Sequence, residues 1–175
     1  MPSDTPHMAD RAHTLTALLT DEHALLTQLD AAFVAQIDAV KTRQHDALDD
    51  ATVRITELVQ ALRGKQLART TATADLAEQV GLDAAMGLPA LIEAVRRTDA
   101  VGAKALRQAR QAVKDQAKQT EAHAEQAEFM IQYAVNLGQE MISMARGEQA
   151  EGRIYNARGR TGYVQTPSSI VNQAA

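Results

Sequence analysis

Five histidines, His7, His13, His23, His45 and His123, are the first residues to test for chemistry. A helical zinc site needs two ligands three or four positions apart, so that both imidazoles leave one face. No two of these histidines have that spacing, and no HEXXH occurs. Glu22 and His23 are adjacent, so on a helix they point to different sides and form no ligand pair. Asp46, Asp49 and Asp50 gather carboxylates that a hard cation would accept, but they lack the loop spacing and the glycine of a calcium loop. They read as a solvated helix face or a cap. The stretch RGKQ at 63–66 lacks the upstream glycine of a phosphate loop, and no elbow motif surrounds Ser3, Ser143, Ser168 or Ser169. With no cysteine in the chain, disulfides, thiolate ligands and thiol catalysis are excluded. The sequence therefore points to no catalytic residue, no metal and no cofactor, and it is read as a non-enzyme.

The remaining chemistry is that of binding. Met130, Tyr133, Leu137, Met141 and Met144 step by 3, 4, 4 and 3 along FMIQYAVNLGQEMISM. That spacing places them in one row on a helix. Ile131, Ala134 and Met141 serve a second, seam-facing row, so the apolar arc is wider than one partner helix needs. Methionine-rich faces adapt to several partners. Two readings follow: a thicker core covered by residues 10–30 and a short 73–80 helix, or a groove for an amphipathic helix of another protein. Lys104, Arg107, Arg110, Lys114 and Lys118 also recur at helical spacing, with few aromatics among them, and read as a solvated face.

These residues need elements to carry them. The chain has 175 residues, 45% of them hydrophobic but only 3% aromatic, a mixture that suits narrow helix–helix seams. Apolar or seam residues recur every three or four positions through Leu15, Leu18, Glu22, Leu25, Leu29, Phe33, Gln36 and Val40, and on to Leu62. No Gly or Pro interrupts them before Gly64. This predicts one long helix over about 10–66, with a kink or short break near 41–46 as the alternative. Glu22, Gln36 and Gln44 lie in the stripe, where polar residues fix register. Gly64, Gly81, Gly87 and Pro89 mark a connection over 64–89. A second long helix is predicted over about 89–146, with Asp99 and Gly102 inside it.

The expected fold is all-α: a long antiparallel helical hairpin or a three-helix bundle, with left-handed coiled-coil packing. In the hairpin, residues 12–25 would face residues 129–142. A helical domain would fill 1–152, and 153–175 would be a flexible tail. That tail, RIYNARGRTGYVQTPSSIVNQAA, holds Tyr155 and Tyr163, two of the three tyrosines in the chain. An aromatic in such a segment is an anchor for a partner's pocket, or it folds back on the bundle. The formal charge of −4 argues against a nucleic-acid binder. No run of about 18 apolar residues predicts membrane insertion, and the N-terminus lacks the apolar stretch of a secretory signal. The expected location is the cytoplasm.

Three features resemble the FlgN family of flagellar type III export chaperones. They are the series LTALLTDEHALLTQLDAAF, the run ITELVQALRGKQLAR before a glycine-marked connection, and an ending in which Tyr155 and Gly159 give a Tyr-x-x-x-Gly pattern. The resemblance spans about residues 12–175. It implies a chaperone without ATPase activity that holds hook–filament junction proteins of the FlgK and FlgL type. It would bind their C-terminal helical segment, prevent premature assembly, and dock on the cytoplasmic domain of the export gate protein FlhA. Docking in the family depends on a C-terminal tyrosine, which implies Tyr155, with Tyr163 as the second choice. The middle of the second helix departs from the family in being rich in alanine. The substrate surface is therefore expected at Met130, Tyr133, Leu137, Met141 and Met144, on a monomer or weak dimer. Two rivals fit the periodicity: a coiled-coil scaffold dimeric through 129–144, and a phasin-like protein coating a hydrophobic surface.

Overall fold

The computed structural model describes the backbone of residues 5–146, 154–155 and 161–162, and side chains from Met8 to Arg146 apart from Ala84. The chain divides into two units, 1–131 and 132–175. Among the described residues four α-helices run in order: α1 (Thr5–Thr42), α2 (His45–Gln79), α3 (Gly87–Arg96) and α4 (Ala100–Ala145). A 3₁₀ turn over Ala84–Met86 precedes α3. Beyond α4, the two-residue strands β1 (Ile154–Tyr155) and β2 (Thr161–Gly162) pair antiparallel. The rest of 147–175, including most of the tail that the sequence places at 153–175, lies outside the described residues.

The all-α expectation holds, in its three-helix form. The favoured single helix over 10–66 is replaced by a sharp reversal at Arg43–Gln44. The amide of Arg43 donates to the carbonyl of Val40 at 3.2 Å, and that of Gln44 to Ala39 at 3.0 Å. This is the doubly bonded helix end that usually takes glycine at its left-handed position. Here the position is Arg43, at φ 57°. No glycine announces the break, so the periodicity runs through it. The next helix end uses the expected residue: Gly81, at φ 67°, follows α2, with Gly81 bonded to Glu78 and Leu82 to Ala77.

A third break separates α3 from α4, where the sequence predicts continuous helix. Asp99 Oδ1 accepts the amide of Gly102 at 2.8 Å, which caps the new N-terminus and satisfies one orphan donor. By contrast Asp46, expected as a cap, sits within the first turn of α2, whose N-cap is Gln44 without a side-chain bond.

The reversal at 43 makes α1 and α2 an antiparallel pair. Asp21 meets Lys65, Gln28 meets Arg54 and Gln36 meets Thr52 across it. The chain then reverses again, so α4 runs parallel to α1. Contacts from Met8 to Thr98, Leu26 to Thr120, and Asp30 to Gln119 and His123 join residues 89–94 apart in sequence. Within residues 1–131, Leu15 and Leu19 of α1 therefore share a core with Ala103 and Leu106 at the start of α4, where the sequence pairs 12–25 with 129–142, because α4 is the third pass of the chain and not the second.

The main core sits where four helices meet. Ala12, Leu15 and Leu19 of α1 pack with Leu76 of α2, Leu91 and Val95 of α3, and Ala103 and Leu106 of α4. A smaller cluster joins Leu29, Ala32 and Leu58. α1 lies between two partners, so burial spreads to Leu19, Leu26 and Ile37, beside the single stripe read from the sequence.

Candidate functional site

In the unit over residues 1–131, polar side chains are spent on the bundle. Glu22 is 2% exposed and takes the Arg69 Nε–H at 2.7 Å. The Gln36 amide donates to Thr52 Oγ1 at 3.0 Å. Both residues stand in the stripe where register-fixing groups are expected. Asp30 takes the Gln119 amide at 2.9 Å and lies 2.6 Å from His123 Nδ1, while the Thr120 hydroxyl reaches the carbonyl of Leu26. His123 is thus tied to the α1–α4 seam. Among the described residues no cluster of His, Asp and Glu is arranged to hold a metal.

The basic row on α4 is partly engaged as well. Arg107 Nη2 meets Glu93 Oε1 at 2.7 Å, and Arg96 meets the other oxygen of Glu93 at 2.8 Å. The hydrogen bond from Arg96, with the nearby Arg107 charge, holds the Glu93 carboxyl below its usual range. A cleft of about 260 Å³ is lined by Ala9, His13, Thr16, Asp99, Val101, Gly102 and Ala105. Asp99, its one carboxylate, is already committed to the cap of α4.

The last turns of α4 are built differently. Gln132 bonds Asn136 within the helix at 3.1 Å, and the apolar side chains around them are open to solvent. Tyr133, Leu137, Met141 and Met144 of the expected row are all exposed, Met141 at 63% and Met144 at 68%. Met130, in the bundle unit, is half-buried. Met141 and Ala134 do not serve a seam as expected; both are exposed, and Ile131, the last residue of the bundle unit, is half-buried.

The structure adds three residues that the row omits. Phe129 is 69% exposed, and Val135 and Ile142 are exposed too. Their signal was the width of the apolar arc, which one row does not account for. On the helix, Tyr133, Leu137, Met141 and Met144 form one ridge, and Val135 and Ile142 form the other. Ala134, Gly138 and Ala145 lie between them. A Cβ placed on Gly138 would meet nothing within 4 Å. A strip of small residues between two apolar ridges receives the side chains of a helix laid along it. The side chain of Tyr155 lies outside the described residues.

Among the described residues no helix is long and apolar enough to cross a membrane. The described residues are almost all helical, so the chain is of the all-α class. More narrowly, the chain belongs to the FlgN family: the family model described as "FlgN protein" matches residues 8–162. This is a family of flagellar export chaperones, and its role is not enzymatic. Neither the curated proteins nor the solved structures yield a match.

Proposed function

We propose that this protein is a cytoplasmic export chaperone for hook-associated, or hook–filament junction, proteins. It binds their C-terminal helical segment, prevents premature assembly, and delivers them to the type III export gate. The carrying observation is the exposed row Tyr133, Leu137, Met141 and Met144 on the last turns of α4. An amphipathic helix of the cargo lies on this row, with Met130 at its edge, and hides its own apolar stripe until export. Tyr155 serves as the docking residue for the cytoplasmic domain of the gate protein, of the FlhA type. Tyr155 falls within the residues that the family model matches, 8–162, and Tyr163 lies just outside them. The working form is a monomer or weak dimer.

Isothermal titration with the C-terminal helical segment of a junction protein from the same cell tests the site. One-to-one binding to the intact chain is expected. Leu137→Asp and Met141→Asp should each weaken it by on the order of tenfold or more, as for a central apolar anchor. Helix content by circular dichroism should stay unchanged, because both side chains are already in water. Binding that survived both substitutions would refute the site. A chain truncated after Gly152 should keep the peptide and lose the gate. Self-association that is lost on Met141→Asp, with no peptide bound by the intact chain, would favour the coiled-coil scaffold.

A further inference from the structure

Within the bundle unit, α4 buries Ala103, Leu106, Thr120 and Ala127 against its neighbours. Outside that seam it carries a charged row. Arg110, Lys114, Lys118, Glu121, Glu125 and Glu128 step by 4, 4, 3, 4 and 3, which keeps them together on one side of the helix. Arg110 is half-buried and the other five are exposed. The signs are segregated: the cations come first and the anions follow.

Such an order destabilises the helix that bears it. Arg110 and Lys114, Lys114 and Lys118, and Glu121 and Glu125 are like charges four positions apart, and they repel along the helix face. A face serving solubility alone gains from alternating signs. Nor are the six side chains needed within the bundle: among the described residues none of them enters an ion pair. Asp115, the one acid among the cations, accepts from the Gln111 amide at 2.8 Å.

The row is its own complement. Lys118 and Glu121 lie equally far from the midpoint between Gln119 and Thr120, and so do Lys114 and Glu125. Arg110 and Glu128 miss that symmetry by one residue, a rise of about 1.5 Å that a long arginine side chain spans. A second copy laid antiparallel therefore sets Lys118 on Glu121, Lys114 on Glu125 and Arg110 on Glu128, and the two-fold axis makes each contact twice. A parallel copy would set lysine on lysine and glutamate on glutamate. A partner of a single sign would be repelled by half of the row.

We propose that the row from Arg110 to Glu128 is a self-association surface, on which two copies pair α4 against α4 in antiparallel direction. Exposed ion pairs are individually weak, so the dimer is transient and sensitive to salt. The contact uses none of the residues proposed for cargo and does not rest on that reading.

Sedimentation velocity of the full chain over a concentration series tests it. Association should appear at about 50 mM salt and weaken by on the order of tenfold at about 300 mM. Two variants reverse one half of the row each: Lys114→Glu with Lys118→Glu, and Glu121→Lys with Glu125→Lys. Each alone should be monomeric at low salt, and the two mixed one-to-one should pair. A chain carrying all four changes restores the complement in reverse order and should associate again, with circular dichroism checking that its helix is kept. A native chain that stays monomeric at low salt up to about 1 mM would overturn the proposal. So would two variants that fail to pair on mixing, or self-association that survives both variants and is lost on Leu137→Asp, since the apolar row would then be the contact.

Discussion

Two stretches of α4 use opposite materials for opposite purposes. Between Ala103 and Ala127 the helix meets its neighbours through small residues and one Leu: Ala103, Leu106, Thr120 and Ala127 are its buried positions. Between Phe129 and Met144 it carries Phe, Tyr, Leu, Ile, Val and three methionines, most of them exposed. The first stretch allows close helix approach and is held in register by Asp30 and Thr120. The second has apolar surface in excess of its own needs. Hydrophobicity therefore does not track burial along this helix, and its largest apolar side chains stand in the exposed stretch.

The difference can be sharpened by substitution. Leu106→Ala removes a fully buried side chain from the main core and should cost about 2–5 kcal/mol in urea unfolding. Leu137→Ala, on the open stretch, should stay within about 0.5 kcal/mol. Equal losses at the two sites would break the comparison. Asp30→Ala takes the acceptor from Gln119 and His123, and a destabilisation of about 1–3 kcal/mol is expected. Arg43→Gly should act in the other direction. It replaces a left-handed arginine with the residue that adopts this conformation freely, for a gain of about 0.5–1 kcal/mol.

The smallest effect belongs to Glu93, which ties α3 to the first stretch of α4 through Arg107. Its carboxyl is held below the usual range, mainly by Arg96. The folded state therefore gains above the ordinary titration of this group, and loses that gain as pH falls through the lowered value. Acid unfolding curves of the native chain should decline more steeply in that window than those of Glu93→Gln. Because Glu93 is exposed, the difference is small and should shrink in high salt.

The helices were legible where the sequence obeys local rules. Gly81 stops α2 with the bonding its glycine suggests, and Glu22 and Gln36 make the buried polar contacts that their places in the stripe imply. The reversal at Arg43 was hidden because an exposed arginine takes, at φ 57°, a conformation that local preference assigns to glycine. The break before α4 was hidden for another reason: Asp99 and Gly102 keep the helical spacing, and only the side-chain cap separates two helices. Misplacing one reversal also misplaced the partner of α1, since each extra turn inverts the direction of the next helix. The exposed row could be read in its spacing, whereas Phe129, Val135 and Ile142 were visible only as excess width. Tyr155 and Tyr163 stood out as rare aromatics in a polar segment, and the choice of Tyr155 between them came through resemblance alone.

Hydrogen exchange along α4, with and without the junction-protein peptide, tests the central claim most directly. The account predicts added protection over residues 133–144 and no change over 103–127, where the helix is already paired. Protection gained over 103–127 instead, or nowhere on α4, would contradict it.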